Sequence, residues 1–171
     1  GSVKAKKVVV ATNGFYQEGL VPQLNSRILP VISNIIVTRK LTYKEIDLHN
    51  FKTFSPIVNT KNLLYYYRKL PDNRILFGTR GDFIGSDQSN LDRAKIMEKF
   101  FKNIFPDWAS ISIDYNWRGL IAMSQKLTPS IGKIENEEIY YGFGYHGVGV
   151  SSAPWTGYQL SKLVFSSNSL T

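Results

Sequence analysis

Gly142, Gly144, Gly147 and Gly149 punctuate the segment Gly142-Phe143-Gly144-Tyr145-His146-Gly147-Val148-Gly149-Val150-Ser151, which leads into a helical stretch. Glycine at such spacing lets the backbone approach a ligand closely and adopt positive φ. The helix N-terminus beyond offers free N–H groups and a positive dipole end to an anion or an electron-rich oxygen. Strand-to-helix turns also carry glycine for steric reasons alone, so turn and cradle both stay open. A second group is Tyr65-Tyr66-Tyr67-Arg68, an aromatic strand ending in a cation. Alternation places Tyr65 and Tyr67 on one face and Tyr66 with Arg68 on the other. One face is core; the other lines a cavity or meets solvent. Thr12-Asn13-Gly14 closes a strand and Trp117 lies on an alternating one, each a ligand contact or plain architecture. Cysteine is absent and His49 and His146 are the two histidines, which excludes disulfides, thiolate zinc, a cysteine nucleophile and a histidine-rich metal centre. No residue is assigned as a catalytic acid, base or nucleophile, and no metal is expected.

Periodicity and turn residues outline the elements that carry these groups. Val8-Val9-Val10 is a β-branched apolar run of the kind buried on both faces of a parallel sheet. No βαβ unit follows, so its sheet partners are expected elsewhere, in a longer parent protein. Strands are expected from Ile28 to Arg39, Leu63 to Arg68, Arg74 to Arg80, Ile111 to Trp117 (continuing towards Met123) and Ile139 to Phe143. The second and third are joined by the turn-rich Lys69-Leu70-Pro71-Asp72-Asn73 as a hairpin. A short helix is expected from Thr42 to His49. A longer one spans Ser89 to Ile104, with Ser89 and Asp92 as a capping box and Met97, Phe100, Phe101 and Ile104 as its apolar face. A last helix runs from Pro154 to Phe165, with Ser151 and Ser152 available as caps.

Composition bounds the class. The 171 residues are 43% hydrophobic, 13% aromatic and 20% charged, a globular profile. Twenty-one basic against thirteen acidic residues give +8, which raises the question of a polyanion partner. The cations are mostly single and interleaved with acids, so nucleic acid is not the expected partner. Neither a membrane span nor a signal peptide is recognisable, and the expected location is cytoplasmic. Gly1-Ser2 resembles a cleavage scar, and 166–171 reads as a frayed tail.

Gly144-Tyr145-His146-Gly147-Val148-Gly149-Val150 resembles the Gly-Tyr-x-Gly-x-Gly-Val signature near the C-terminus of the D-amino-acid-oxidase-like family of FAD-dependent oxidoreductases. Val8-Val9-Val10-Ala11-Thr12-Asn13-Gly14 is similar to that family's strand leading back to the flavin. Tyr66-Tyr67-Arg68 with Pro71-Asp72-Asn73-Arg74-Ile75-Leu76-Phe77-Gly78 resembles its substrate-domain hairpin. Trp117-Arg118-Gly119-Leu120-Ile121-Ala122 followed by Thr128-Pro129-Ser130-Ile131-Gly132 resembles the segment crossing back towards the cofactor. The four blocks keep the family's order over nearly the whole chain.

The resemblance implies an α+β chain: a mainly antiparallel substrate-domain sheet with a packed helix (28–125), plus terminal pieces of a Rossmann-type FAD-binding domain (3–27 and 126–165). It implies FAD as cofactor, a small amine or amino acid as substrate, and oxidation of a C–N bond by hydride transfer to flavin. Thr12, Asn13, Gly14, Gly144, Tyr145, Gly147, Val148, Gly149 and Val150 are then the flavin-contacting set, and Tyr66, Arg68, Trp117 and His146 the substrate-contacting set. His146 holds a variable position and is equally suited to a hydrogen bond within the loop. The Gly-x-Gly-x-x-Gly fingerprint that seats the FAD pyrophosphate is absent, so a missing N-terminal FAD domain, in cis or in trans, is an expected partner, and tight FAD binding by this chain alone is not expected. Pairing with a second copy is the other partner expected for the exposed strand and flavin-facing surface. Ile121 stands where the family's amino-acid oxidases place the arginine that clamps a carboxylate, a pattern nearer the γ-glutamylputrescine-oxidase-like branch. Two other function classes fit the sequence: a non-catalytic remnant or interaction domain that keeps the fold without cofactor, and a polyanion-binding module resting on the +8 charge.

Overall fold

The computed structural model describes residues 1–62, 64–82 and 87–166. In chain order the elements are β1 (Val8–Val10), β2 (Leu29–Thr38), α1 (Tyr43–Leu48), β3 (Ile57–Val58), β4 (Tyr65–Lys69), β5 (Ile75–Asp82), α2 (Asp87–Ile104), β6 (Ile113–Met123), β7 (Ser130–Lys133), β8 (Ile139–Phe143) and α3 (Gly149–Ser166). The architecture is α+β. The chain divides into two compact units, Ile32–Gly119 and a second formed by Gly1–Val31 with the chain from Leu120 onward.

The Ile32–Gly119 unit is built on a five-stranded sheet of order β3-β4-β5-β2-β6. The β4–β5 hairpin pairs Tyr66 with Gly78 and Tyr67 with Phe77, and β5 pairs antiparallel with β2. Its turn closes through the Leu70 N–H donating to the Arg74 carbonyl, with Asn73 at positive φ, a conformation asparagine tolerates. Tyr65 and Tyr67 pack on the core, where Phe77, Met97, Phe101 and Trp108 are fully buried. The Met97 and Phe101 stripe of α2 meets that face, as their helical spacing dictates. The Trp108 indole N–H donates to the Glu45 carbonyl at 2.7 Å, which satisfies the polar atom that burial would otherwise strand. Helix α1 starts from a Thr42/Glu45 capping box. The Arg39 guanidinium pairs with the same Glu45 carboxylate at 2.6 Å, and with the Thr42 N–H it holds that carboxyl down at about 2.

The other unit is a three-stranded sheet of order β1-β8-β7, with β1 parallel to β8 and β7 antiparallel to it. Val10, Val21, Leu24, Ile134 and Phe143 form its core. Strand β7 is an element the sequence analysis did not single out.

Four local expectations are corrected. Val8 and Val9 are 47% and 46% exposed on an edge strand, and only Val10 is buried, so the run is not covered on both faces. Helix α2 begins at Asp87, which puts Ser89 inside the first turn and not at the cap. Gln88 Nε2 reaches both Asp92 carboxylate oxygens at 3.2 Å, an i,i+4 contact that needs the turn already formed. Helix α3 begins at Gly149, so Pro154 lies within it. Its missing N–H would have met the carbonyl of Val150, a residue that is 98% exposed. Ser151 and Ser152 are not caps: their hydroxyls donate back to the Val148 carbonyl. Leu63 and 167–171, within the expected first hairpin strand and the frayed tail, lie outside the described residues.

Candidate functional site

The glycine loop is positioned by β8 before it and α3 after it. Gly144 and Gly147 have φ of +83° and +84°, and His146 between them has +53°. Two left-handed glycines around a left-handed histidine fold the chain back between strand and helix, where β-branched residues would be strained. Gly142 and Gly149 do not share this conformation, a correction to the expectation of positive φ at all four glycines. Gly142 serves close packing: a Cβ there would lie 2.9 Å from Thr156 Cγ2 on α3. Gly149 is the first residue of α3. The Ser151 and Ser152 N–H groups return to the Val148 carbonyl, whereas those of Gly149 and Val150 find no acceptor among the described residues. Val148 and Val150 are 54% and 98% exposed beside them.

The turn after β1 is tied to this loop. Asn13, at φ +50°, accepts the Gly144 N–H on its side-chain oxygen at 3.0 Å. Gly14 is buried, and a Cβ there would lie 3.1 Å from Leu120 Cβ. Thr12 is exposed, and its carbonyl accepts the Phe15 N–H of the short helical turn. Tyr145 is half-buried against Gly149, whose Cβ position lies 3.5 Å from Tyr145 Cβ. Of the turn after β1, Asn13 thus joins the glycine loop, Gly14 packs on Leu120 and Thr12 stands exposed.

His146 is buried, and its backbone N–H donates to the Ala122 carbonyl at 3.1 Å. The Ser124 N–H donates to His146 Nε2 at 3.2 Å, and Ser124 Oγ lies 3.1 Å from the same nitrogen. A backbone donor on Nε2 makes that atom an acceptor and places the proton of the neutral ring on Nδ1. His146 thus braces the glycine loop on the end of β6. Ser124, which also donates to the Thr128 carbonyl, is a residue the sequence analysis missed. Its signal was slight, a lone hydroxyl just past an alternating strand.

Within the other unit, Tyr66 and Arg68 alternate away from the core that Tyr65 and Tyr67 cover. The Tyr66 ring lies over Gly78, where a Cβ would be 2.2 Å from Tyr66 Cζ. Its hydroxyl meets Ser33 Oγ at 2.8 Å. Glycine at position 78 is what lets the ring cross the hairpin. Trp117 lies on β6 four residues after Ile113, which packs on the core. It is 43% exposed there.

The model of the DAO family, described as FAD dependent oxidoreductase, matches residues 1–163. The chain belongs to this family. A probable oxidoreductase OrdL of Haemophilus influenzae is 32% identical over 166 residues, covering 95% of this chain and 37% of the relative. A gamma-glutamylputrescine oxidoreductase of Escherichia coli is 29% identical over 164 residues, covering 96% and 38%. The chain thus spans less than half the length of the curated relatives it matches. Among solved structures, a glycine oxidase from Bacillus cereus superposes with a TM-score of 0.68 at 18% identity, covering 95% of this chain and 43% of that one. An L-proline dehydrogenase from P. horikoshii gives 0.67 at 20% identity, covering 94% and 43%. These likenesses establish the fold. Among the described residues no helix is long and apolar enough to cross a membrane.

Proposed function

We propose that this chain carries the flavin-end loop and the substrate sheet of a cytoplasmic FAD-dependent oxidoreductase that oxidises a C–N bond of a small amine or amino acid. The observation that carries this reading is the glycine loop: Gly144 and Gly147 left-handed, feeding the unpaired N–H groups of Gly149 and Val150 at the start of an 18-residue helix, in a chain of the DAO family. Such a terminus fits the electron-rich end of a flavin ring, because two aligned donors and the helix dipole favour developing negative charge. Bound there, FAD would supply the hydride acceptor for oxidation of the C–N bond to an imine. This chain's residues hold the ring end through the 147–150 backbone, while Asn13 and His146 keep that backbone in place. Tyr66 and Arg68 present the polar sheet face to the substrate.

The relatives' greater length supports an N-terminal FAD domain, in cis or in trans, as the complement. Gamma-glutamylputrescine as the E. coli relative's named substrate, together with Ile121 in place of a clamping arginine, favours an amine of that kind over a free α-amino acid. The test is to join the chain to a segment carrying a Gly-x-Gly-x-x-Gly fingerprint and load it with FAD. Amide hydrogen exchange at 147–150 is then compared with and without flavin. Protection of these amides, with flavin bleaching by an added amine, is expected. A flavin-loaded protein whose 147–150 amides exchange unchanged overturns the assignment.

A further inference from the structure

Helix α3 leaves one stripe of its surface uncovered. Its buried residues, Thr156 and Leu160, turn towards β8, where a Cβ at Gly142 would lie 2.9 Å from Thr156 Cγ2. Trp155, Tyr158 and Phe165 are instead each more than half exposed. With the exposed Lys162 they recur at i, i+3, i+7 and i+10, the spacing that puts side chains on one helix face. The Lys162 ammonium sits over the Tyr158 ring, 4.2 Å from its centroid. Single apolar side chains scattered on a surface are ordinary, whereas a contiguous row of rings marks an interaction site.

The charge around this stripe has one sign. Helix α3 carries no aspartate or glutamate from Gly149 to Ser166. At its C-terminal end the fold brings in further cations. Lys7, just before β1, donates from Nζ to the Val164 carbonyl, one of the last-turn carbonyls that a helix leaves open and the negative end of its dipole. Lys6 and Lys4, one and three residues back along the chain and both exposed, are thereby kept near the Phe165 end, since three residues reach at most about 11 Å. Glu138, whose backbone carbonyl accepts the Val8 N–H, is itself paired with Lys133 and the Tyr140 hydroxyl.

We propose that the Trp155–Phe165 stripe, with the amines of Lys4, Lys6, Lys7 and Lys162, is a docking surface for an anionic lipid membrane, with α3 lying in the plane of the headgroups. Trp and Tyr combine an apolar body with a polar tip, which suits the boundary between acyl chains and water. The lysines complement anionic headgroups. An apolar groove of a partner protein would take the rings and leave the ammonium groups unmatched; phosphate headgroups above acyl chains match both. The helix lies on the membrane and does not span it, since among the described residues no helix is long and apolar enough to cross. The stripe begins more than a turn beyond the Gly149 and Val150 amides, so it leaves the glycine loop clear. This surface goes beyond the flavoenzyme reading and does not rest on it.

The test titrates the chain with vesicles of phosphatidylcholine and phosphatidylserine in equal parts, and with phosphatidylcholine alone. Binding is read by cosedimentation and by quenching of tryptophan fluorescence with brominated lipid. The mixed vesicles are expected to bind at least about tenfold tighter, as several lysines near an anionic surface imply. Trp108 is fully buried, and Trp155→Phe should remove the quenching while keeping most of the binding. Trp155→Ala with Phe165→Ala, and Lys4→Gln with Lys6→Gln, should each weaken binding at least about tenfold with unchanged far-ultraviolet dichroism, because these side chains are exposed. Equal affinity for the two vesicle types, quenching that survives Trp155→Phe, or variants that bind as wild type does overturn the proposal. A chain that ignores vesicles and self-associates through Trp155 also overturns it and assigns the stripe to a protein contact. The chain joined to a fingerprint-bearing segment and loaded with FAD should bind the mixed vesicles equally well; loss of binding there shows the stripe covered by that segment and overturns the lipid assignment.

Discussion

Gly144→Ala isolates the left-handed backbone of the glycine loop from its helix. At φ +83° an L-residue costs about 1–2 kcal/mol relative to glycine. The new methyl would lie 3.3 Å from Ser124 Cβ and 3.5 Å from Ser124 Oγ. Ser124 has little room to retreat, because its N–H is held by His146 and its hydroxyl by the Thr128 carbonyl. Crowding of that sort adds up to about 1 kcal/mol, so the expected destabilisation is about 2–3 kcal/mol. Gly149→Ala is the control. Its φ is not positive, its Cβ would sit at an ordinary 3.5 Å from Tyr145 Cβ, and alanine favours helix, so its effect should stay within about 0.5 kcal/mol. Urea unfolding followed by circular dichroism measures both, and hydrogen exchange at 122–146 shows whether the His146 brace loosens in the first variant only. Equal unfolding midpoints and slopes for the two variants would refute the claim that backbone conformation, and not glycine content as such, makes this loop.

Asn13→Ala should cost about 1–2 kcal/mol, since it strands the Gly144 N–H now bonded at 3.0 Å; faster exchange of the Gly144 amide is the direct readout. Gly78→Ala should force the Tyr66 ring off the hairpin, given the 2.2 Å approach, and the near-ultraviolet dichroism of Tyr66, assigned by comparison with Tyr66→Phe, should change. Phe101→Ala should lose about 3–5 kcal/mol through the cavity it leaves, measurable by thermal melting. The Glu45 carboxyl, at about 2 in the folded protein against about 4.3 when unfolded, stabilises the fold above the unfolded value and loses that contribution as pH falls towards 2. Its side chain is 24% accessible, so solvent screening leaves about 1 kcal/mol. Acid titration of Glu45→Gln should show that share gone at neutral pH and the gap to wild type closing as pH falls.

The parts of the fold legible in the sequence were those in which one periodicity acts alone. The hairpin strands announce themselves through β-branched and aromatic residues on either side of a Pro-Asp-Asn turn, and alternation separates Tyr65 and Tyr67 from Tyr66 and Arg68, while only the structure shows that the first pair is the inward one. The parallel character of Val8–Val10 was legible from its unbroken apolar run, but its exposure was not, since burial depends on what lies across the sheet edge. Helix starts failed where two signals compete. Ser89 resembles a cap, yet the helix is already formed at Gln88, and Ser151 and Ser152 bond back to Val148 where forward capping was expected. At the site, Asn13, Gly144 and Gly147 were legible because left-handed backbone favours such residues. Ser124 and Ser33 were not, because each acts through a partner distant in sequence: 22 residues on for Ser124 and 33 for Ser33.

The two faces of the hairpin answer different physical demands. Tyr65, Tyr67 and Phe77 stack on the core side and gain from burial whatever else is present. On the opposite side, two buried guanidinium nitrogens without acceptors each forgo about 1–3 kcal/mol. A sheet shaped for stability alone would place apolar residues at 68 and 80, as it does at Val37 and Leu76 on the same face. Keeping arginine there leaves two buried N–H groups unsatisfied, which makes the protein less stable than its core allows. Replacing both with apolar residues of similar size should raise the melting temperature, measured by thermal unfolding; an unchanged or lower value would refute the argument.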